Sequence, residues 1–172
     1  MKGFQTERLA VTDWAETLSD PKTRTDLEAE LVEILTPDVV RHLPVPLQLA
    51  GSDNAITEWT SARAEEGTVF LVTVSTTEEL SGLMLLAMMS EPSEAKQCHV
   101  GYLLAERAWG KGYATELVTG LVEAMKSEAP VTLLGGVDTE NPASARVLEK
   151  AGFRPNAQLS DDGTSIFVLE LH

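Results

Sequence analysis

The chain has 172 residues, 43% of them apolar and 23% charged, the balance of an ordinary globular protein and enough to bury the core of one domain. A formal net charge of −14 argues against nucleic acid, because phosphate contacts need clustered Lys and Arg, and permits a cationic substrate. No apolar run reaches membrane-span length, the first residues lack the basic and apolar regions of a secretory signal, and a single cysteine, Cys98, allows no internal disulfide, so a reducing cytoplasm is expected.

Residues 8–11 read as a first strand. Over residues 25–35, Leu27, Leu31, Ile34 and Leu35 share one helical face, with Thr23 or Thr25 as N-cap. Thr36-Pro37 restarts a short helix through Val39, Val40 and Leu43, which Pro44 and Pro46 end. A further helix fits residues 54–66, capped by Ser52 or Asp53 and stopped by Gly67, with Ile56, Trp59 and Arg63 on one face. Trp14 and Trp59 read as core before they read as a substrate wall.

Residues 68–74 and 82–89 form a hairpin around the polar TTEELS, and Met84, Met88 and Met89 read as core filler. A polar loop over 91–96 leads to a strand at 98–104. Side chains alternate along it, so His99, Gly101 and Leu103 share one face and Cys98, Val100, Tyr102 and Leu104 the other. Cys98 reads as a buried, inert thiol rather than a nucleophile.

Next comes Trp109-Gly110-Lys111-Gly112-Tyr113-Ala114, followed by a helix with Leu117, Val118, Leu121, Val122 and Met125 on one face. Glycine lets the backbone turn sharply and approach a ligand closely, and the free N–H groups and dipole of a helix start favour anions. A strand, a Gly-x-Gly loop and a helix therefore make a phosphate cradle, although a packing turn explains two glycines equally well. Thr115 in the third glycine position excludes the dinucleotide fingerprint, and no Gly-Lys-Ser/Thr follows for a Walker A loop.

Residues 131–137 are another strand. Asn141 caps a helix with Pro142 in its first turn, and Gly152 ends it with Phe153 placed against Leu148. Residues 153–159 and 164–171 flank the turn Asp161-Asp162-Gly163. The order β, helices, βββ, α, β, α, ββ predicts a mixed α/β sheet with helices on both faces, one domain over 1–172. The scattered histidines and lone cysteine offer no metal site. His42 and His172 carry no motif and read as surface residues. Glu106, Glu116, Asp138 and Glu140 read as solvated acids.

The pair WGKGYATE (109–116) and NPASARVLEKAGF (141–153) resembles the GNAT superfamily of acyl-CoA-dependent N-acyltransferases. More narrowly, it resembles the branch that acetylates the N-termini of ribosomal proteins. The resemblance covers residues 68–155 well and TERLAV (6–11) loosely, and residues 12–66 match little. It implies the GNAT fold, about seven strands with a splayed central pair between the strands at 98–104 and 131–137, where the pantetheine arm of acetyl-CoA enters. Backbone amides of the loop Q/R-x-x-G-x-G/A bind the pyrophosphate, which maps onto Trp109, Gly110, Lys111, Gly112, Tyr113 and Ala114, with Thr115 following. Arg107-x-x-Gly110-x-Gly112 also fits the pattern. Against the acidic background, Arg107, Lys111, Arg146 and Lys150 would supply local positive potential for the anionic coenzyme.

By the same resemblance, Leu103 and Leu104 flank the thioester, with the Leu104 N–H toward its oxygen, and Asn141 contacts the coenzyme arm. The Tyr that many members use to protonate the departing thiolate falls at Leu148. Ser144 is the nearest hydroxyl and matches the Ser of the ribosomal-protein branch, alongside its plain reading as a first-turn serine. His99 stands where that branch has Glu, and imidazole has a suitable pKa for a general base, alongside its reading as a strand histidine. The resemblance therefore implies transfer of acetyl to a primary amine, with a protein or peptide N-terminus favoured, and brings homodimers as a frequent state. A small amine or antibiotic as acceptor, and an acyl-CoA-binding module without turnover, stand as alternatives.

Overall fold

The computed structural model describes residues 1, 3–49, 51–89 and 96–172, so the loop expected at 91–96 lies, apart from Lys96, outside the described residues. Eight strands form one sheet: β1 (Gly3–Gln5), β2 (Leu9–Asp13), β3 (Thr68–Val74), β4 (Glu79–Met89), β5 (Lys96–Leu104), β6 (Val131–Asp138), β7 (Arg154–Pro155) and β8 (Thr164–Leu171). Their order is β1-β2-β3-β4-β5-β6-β8-β7. Every pairing is antiparallel except the parallel β5–β6 pair at the centre. The expected mixed sheet is therefore present, with one strand more than the seven anticipated. Gly3–Gln5 is that extra strand, too short to show an alternating pattern.

Alternation along the strands divides the apolar residues between two layers. Phe70, Met84, Cys98, Val100 and Leu104 face α5 (Tyr113–Met125) and α6 (Pro142–Lys150), where Leu117, Leu121 and Leu148 cover them. Val69, Leu83 and Leu103 face the other way, against α2 (Pro21–Ile34), α3 (Pro37–Val40) and α4 (Ala55–Glu66), through Leu27, Leu31, Ile34 and Val39. Trp14 and Trp59 meet edge to face in this second layer, ring centroids 6.4 Å apart, and are core as expected. Met84 is also core, but Met88 and Met89 are exposed at the end of β4, beyond the reach of either helical layer.

Several boundaries differ from the expectation. Helix α2 begins at Pro21 because Asp20, not Thr23 or Thr25, caps it: its carboxylate accepts from the N–H of Lys22 (2.9 Å) and Thr23 (3.0 Å). A short α1 (Ala15–Ser19) precedes it, and Asn54 takes the cap position of α4 in place of Ser52 or Asp53. The strand expected over 153–159 shrinks to β7, since Asn156 turns the chain by accepting from the N–H groups of Gln158 and Leu159. The end of α6 is as expected, with Gly152 at φ 96° and the Phe153 N–H donating to Leu148 O at 3.0 Å.

Candidate active site

Pairing between β5 and β6 runs from Lys96 opposite Val131 to His99 opposite Leu134 and stops there, although β5 continues to Leu104 and β6 to Asp138. Beyond that point β6 stays with β8 and β5 with β4, so the sheet parts at its centre. The Ala105 N–H donates to Ser81 O at 2.9 Å. Alternation in an antiparallel ladder then turns the N–H of Leu104 and Tyr102 away from β4 and into the gap. The gap opens into a cavity of about 730 Å³ whose wall includes Leu103, Leu104, Trp109, Gly110, Gly112, Tyr113, Ala114, Thr115, Asn141, Ser144 and His99. Of the predicted site residues, Lys111 alone stands outside this wall, exposed on the loop.

Gly110 and Gly112 have φ of 72° and 80°, the left-handed region where a Cβ is strained. Gly112 is the N-cap of α5 and offers no side chain to its donors, while the Glu116 N–H bonds Gly112 O at 3.1 Å. The N–H groups of Tyr113, Ala114 and Thr115 thus precede the first intrahelical bond and face the positive end of the helix dipole. This backbone suits a pyrophosphate. Trp109, in the usual Gln/Arg place, donates from its indole Nε1 to Leu104 O at 2.8 Å, tying the loop to the end of β5.

Arg8 braces this loop from below. Its Nε donates to Glu116 Oε2 at 2.6 Å, its Nη1 to Lys111 O at 3.0 Å, and its guanidinium lies 4.7 Å from the Tyr113 ring centre. Glu116 also accepts from the Arg8 N–H (2.7 Å) and the Thr6 hydroxyl (2.6 Å). Partial burial pushes the Glu116 carboxyl up, but the hydrogen bonds from Thr6 and Arg8 and the guanidinium charge outweigh it and hold it below the usual range. A carboxyl lowered in the folded state stabilises the clamp above the unfolded value and loses that contribution as the pH falls through the lowered one. With the acetyl-CoA that the resemblance implies, Arg8→Gln is expected to raise KM roughly ten-fold with kcat little changed, the equivalent of about one charge-assisted hydrogen bond. Steady-state kinetics in acetyl-CoA would check this, and an unchanged KM would make the brace a fold contact only.

Arg107 departs from its expected role. It pairs with Glu79 and donates to Leu80 O at 2.6 Å, so it serves the β3–β4 hairpin rather than a phosphate. Among the described residues, Lys111, Arg146 and Lys150 make no ion pair.

On the α5–α6 side of the gap, Asn141 caps α6 by accepting from the Ser144 N–H at 3.1 Å. Leu148, at the place of the usual tyrosine, is 1% exposed and packs where a Cβ on Gly135 would stand, which excludes it from chemistry. A tyrosine reaches the site from another element instead: Tyr102 Oη lies 2.7 Å from Ser144 Oγ, and both line the cavity. Burial raises the Tyr102 hydroxyl above its ordinary value, against the opposing hydrogen bond from Ser144, so it stays protonated at neutrality.

The opposite face carries His99, exposed, beside Gly101, whose missing side chain leaves the floor open toward Leu85. Two residues that read as unremarkable surface positions meet here. His42, just after α3, places Nδ1 2.9 Å from Asp138 Oδ2 at the end of β6, and both line the cavity. The hydrogen bond from His42 is the main reason the Asp138 carboxyl lies below its usual range. Ninety-six positions separate the pair, and only the crossing of α3 over the sheet joins them. Cys98 is 0% exposed, and burial pushes its thiol up to about 11, which fits the inert reading. Among the described residues, no group of acidic, His and Cys side chains could hold a metal ion.

Comparison with known proteins adds to this geometry. The model of an acetyltransferase (GNAT) domain matches residues 17–154. An acetyltransferase (GNAT family) from Bacillus anthracis superposes with a TM-score of 0.73 at 16% identity, over 98% of each chain. A Salmonella typhimurium acetyltransferase that modifies the N-terminal serine of ribosomal protein L7/L12 gives a TM-score of 0.69 at 12% identity, over 97% of each chain. An aminoglycoside acetyltransferase in complex with coenzyme A and kanamycin gives 0.68 at 19%, over 94% of each chain. At these identities the likeness is one of fold. No curated protein matches the sequence.

Proposed function

Since the chain belongs to the acetyltransferase (GNAT) domain family, and is thereby an acetyl-CoA-dependent acetyltransferase, we propose that its acceptor is the free amino terminus of a protein or peptide and that the parted β5–β6 pair is where transfer occurs. The observation that carries this reading is the interrupted pairing after His99 and Leu134, which joins the glycine loop to an open acceptor face.

In this reading the amides of residues 110–115 and the dipole of α5 hold the pyrophosphate, and Asn141 steadies the coenzyme arm. The Leu104 N–H, turned into the gap, donates to the thioester oxygen as negative charge develops there, a contribution worth roughly 2.7–4 kcal/mol for donors of this kind. Ser144, with Tyr102 behind or beside it, returns a proton to the departing sulfur. An imidazole on the acceptor face takes the proton that an ammonium must lose before attack, and His99 and His42 both stand on that wall.

A peptide terminus fits a face that is open, and the net charge of −14 draws a cationic acceptor. Thiol release from acetyl-CoA, measured across peptides with free and blocked N-termini, small amines and an aminoglycoside, tests the acceptor. Turnover is expected with free-terminus peptides and not with their blocked forms. Turnover with the aminoglycoside and none with any peptide would overturn the assignment.

A further inference from the structure

We propose that the group accepting the acceptor's proton is His42, held in place by Asp138, and that His99 only flanks the approach. The inference rests on the acetyl-transfer reading and deepens it.

Hydrogen bonding determines the His42 tautomer. Asp138 can only accept at 2.9 Å from Nδ1, and the Arg41 Nε–H can only donate, at 3.0 Å to Nε2. The neutral ring therefore carries its hydrogen on Nδ1 and its lone pair on Nε2. A carboxylate on one nitrogen orients the ring and stabilises the cation formed when the other nitrogen takes a proton. Asp138 is itself constrained, since its Oδ1 accepts from the Glu140 N–H at 2.9 Å as β6 turns toward α6. His99 has no such partner among the described residues and is exposed.

Position agrees with tautomer. Along β6, Asp138 alternates with Val137, which faces the α5–α6 core, so its side chain stands on the acceptor face with His42. The Tyr102–Ser144 pair lies on the other face. Acid and base thus flank the gap from opposite faces, as transfer from a thiol on one side to an amine on the other requires. Arg41, the guanidinium now on Nε2, is about 61% exposed in its side chain and also pairs with Asp38, so an incoming ammonium can take its place.

The charged groups around His42 are few. From α3 and its end come Asp38 and Arg41, from the β6–α6 turn Asp138 and Glu140, and from β5 His99. From α4, Arg63 and Glu66 line the same cavity but pair with each other at 2.5 Å. In the step itself, Nε2 takes one proton from the ammonium and passes it to solvent. The freed nitrogen pair forms the C–N bond, the C–S bond breaks, and the nitrogen loses its second proton to solvent, from which the Tyr102–Ser144 pair regains the proton it gives. The sulfur gains one proton from the Tyr102–Ser144 side, so each turnover releases one proton net.

The test is the pH dependence of kcat/KM in His42→Gln, Asp138→Asn and His99→Gln, with acetyl-CoA affinity measured by calorimetry on each. The wild type is expected to rise with pH through one limb as the base loses its proton. His42→Gln should lose the limb and fall about a hundred-fold at neutrality with acetyl-CoA affinity retained. Asp138→Asn should fall by a similar factor and shift the limb, because an amide can present its N–H₂ to Nδ1 and reverse the tautomer. It should also abolish the far-downfield imidazole N–H resonance expected of a histidine bonded to carboxylate, a signal read without turnover. His99→Gln should keep the limb. An unchanged profile in His42→Gln, or loss of the limb in His99→Gln alone, overturns the proposal. Should His42→Gln fail to fold, Asp138→Asn decides by itself, and an unchanged profile there overturns it. A wild type that releases no thiol with any amine overturns the parent reading and the base with it. Turnover with an unchanged His42→Gln profile overturns the base alone.

Discussion

Removing both hydroxyls at the thiol side, Ser144→Ala with Tyr102→Phe, is expected to lower kcat by about 10³ while acetyl-CoA binds as before. General acids contribute about 10²–10⁴-fold. A departing thiolate needs a proton, and the pair is placed to give one: the two oxygens are 2.7 Å apart on the cavity wall, and burial keeps the tyrosine hydroxyl protonated at neutral pH. Groups that act as one relay are non-additive, so each single variant should cost nearly as much as the double. Two independent structural roles would add instead and would appear as lost thermal stability. Measuring kcat and Tm on the three variants separates the outcomes. Normal kcat with lowered Tm in Ser144→Ala would return that residue to a first-turn serine held by Asn141.

Replacing Gly112 by Val is expected to weaken acetyl-CoA binding on the order of 10²-fold while leaving the sheet and its two cores in place. Two effects act together. A β-branched residue at φ 80° is strained by about 1–3 kcal/mol, and relief of that strain moves the loop. The new Cβ would also stand 3.5 Å from Arg8 Nη2, in contact with the brace beneath the loop, so a shift of the loop carries the brace with it. Each charge-assisted hydrogen bond then lost to phosphate costs roughly 1.5–3 kcal/mol. Calorimetry with acetyl-CoA, alongside circular dichroism to show the fold intact, checks the result. A folded variant with unchanged affinity would remove the loop from the coenzyme site.

Much of the site was legible because its parts are local. The glycine loop, the helix it starts and the Asn141–Ser144 cap each lie within a few residues, so their hydrogen-bond logic is written in spacing alone. The same holds for strand alternation, which put His99 and Tyr102 on opposite faces as the two cores require. The family resemblance extended this reading to the gap between the strands at 98–104 and 131–137. The resemblance places the tyrosine at Leu148, which is buried core, and gave no sign that Tyr102 on β5 meets Ser144 at 2.7 Å.

What the sequence by itself determined, then, is the order of the main elements, the faces of the strands, the glycine loop that starts α5 and the family. The elements and faces follow from periodicities of two and 3.6 residues and from short-range caps, and the family from the resemblance carried by the motifs at 109–116 and 141–153. What only the tertiary structure decided is which distant polar groups meet. Arg8 with Glu116, Tyr102 with Ser144 and His42 with Asp138 are separated by 108, 42 and 96 positions. In so acidic a chain, nothing local tells a clamped carboxylate from a solvated one. The physical reason is that an ion pair or hydrogen bond depends on distance in space. Here that distance is set by how α3 packs on one face, and α5 and α6 on the other, of a sheet whose two central strands part after His99.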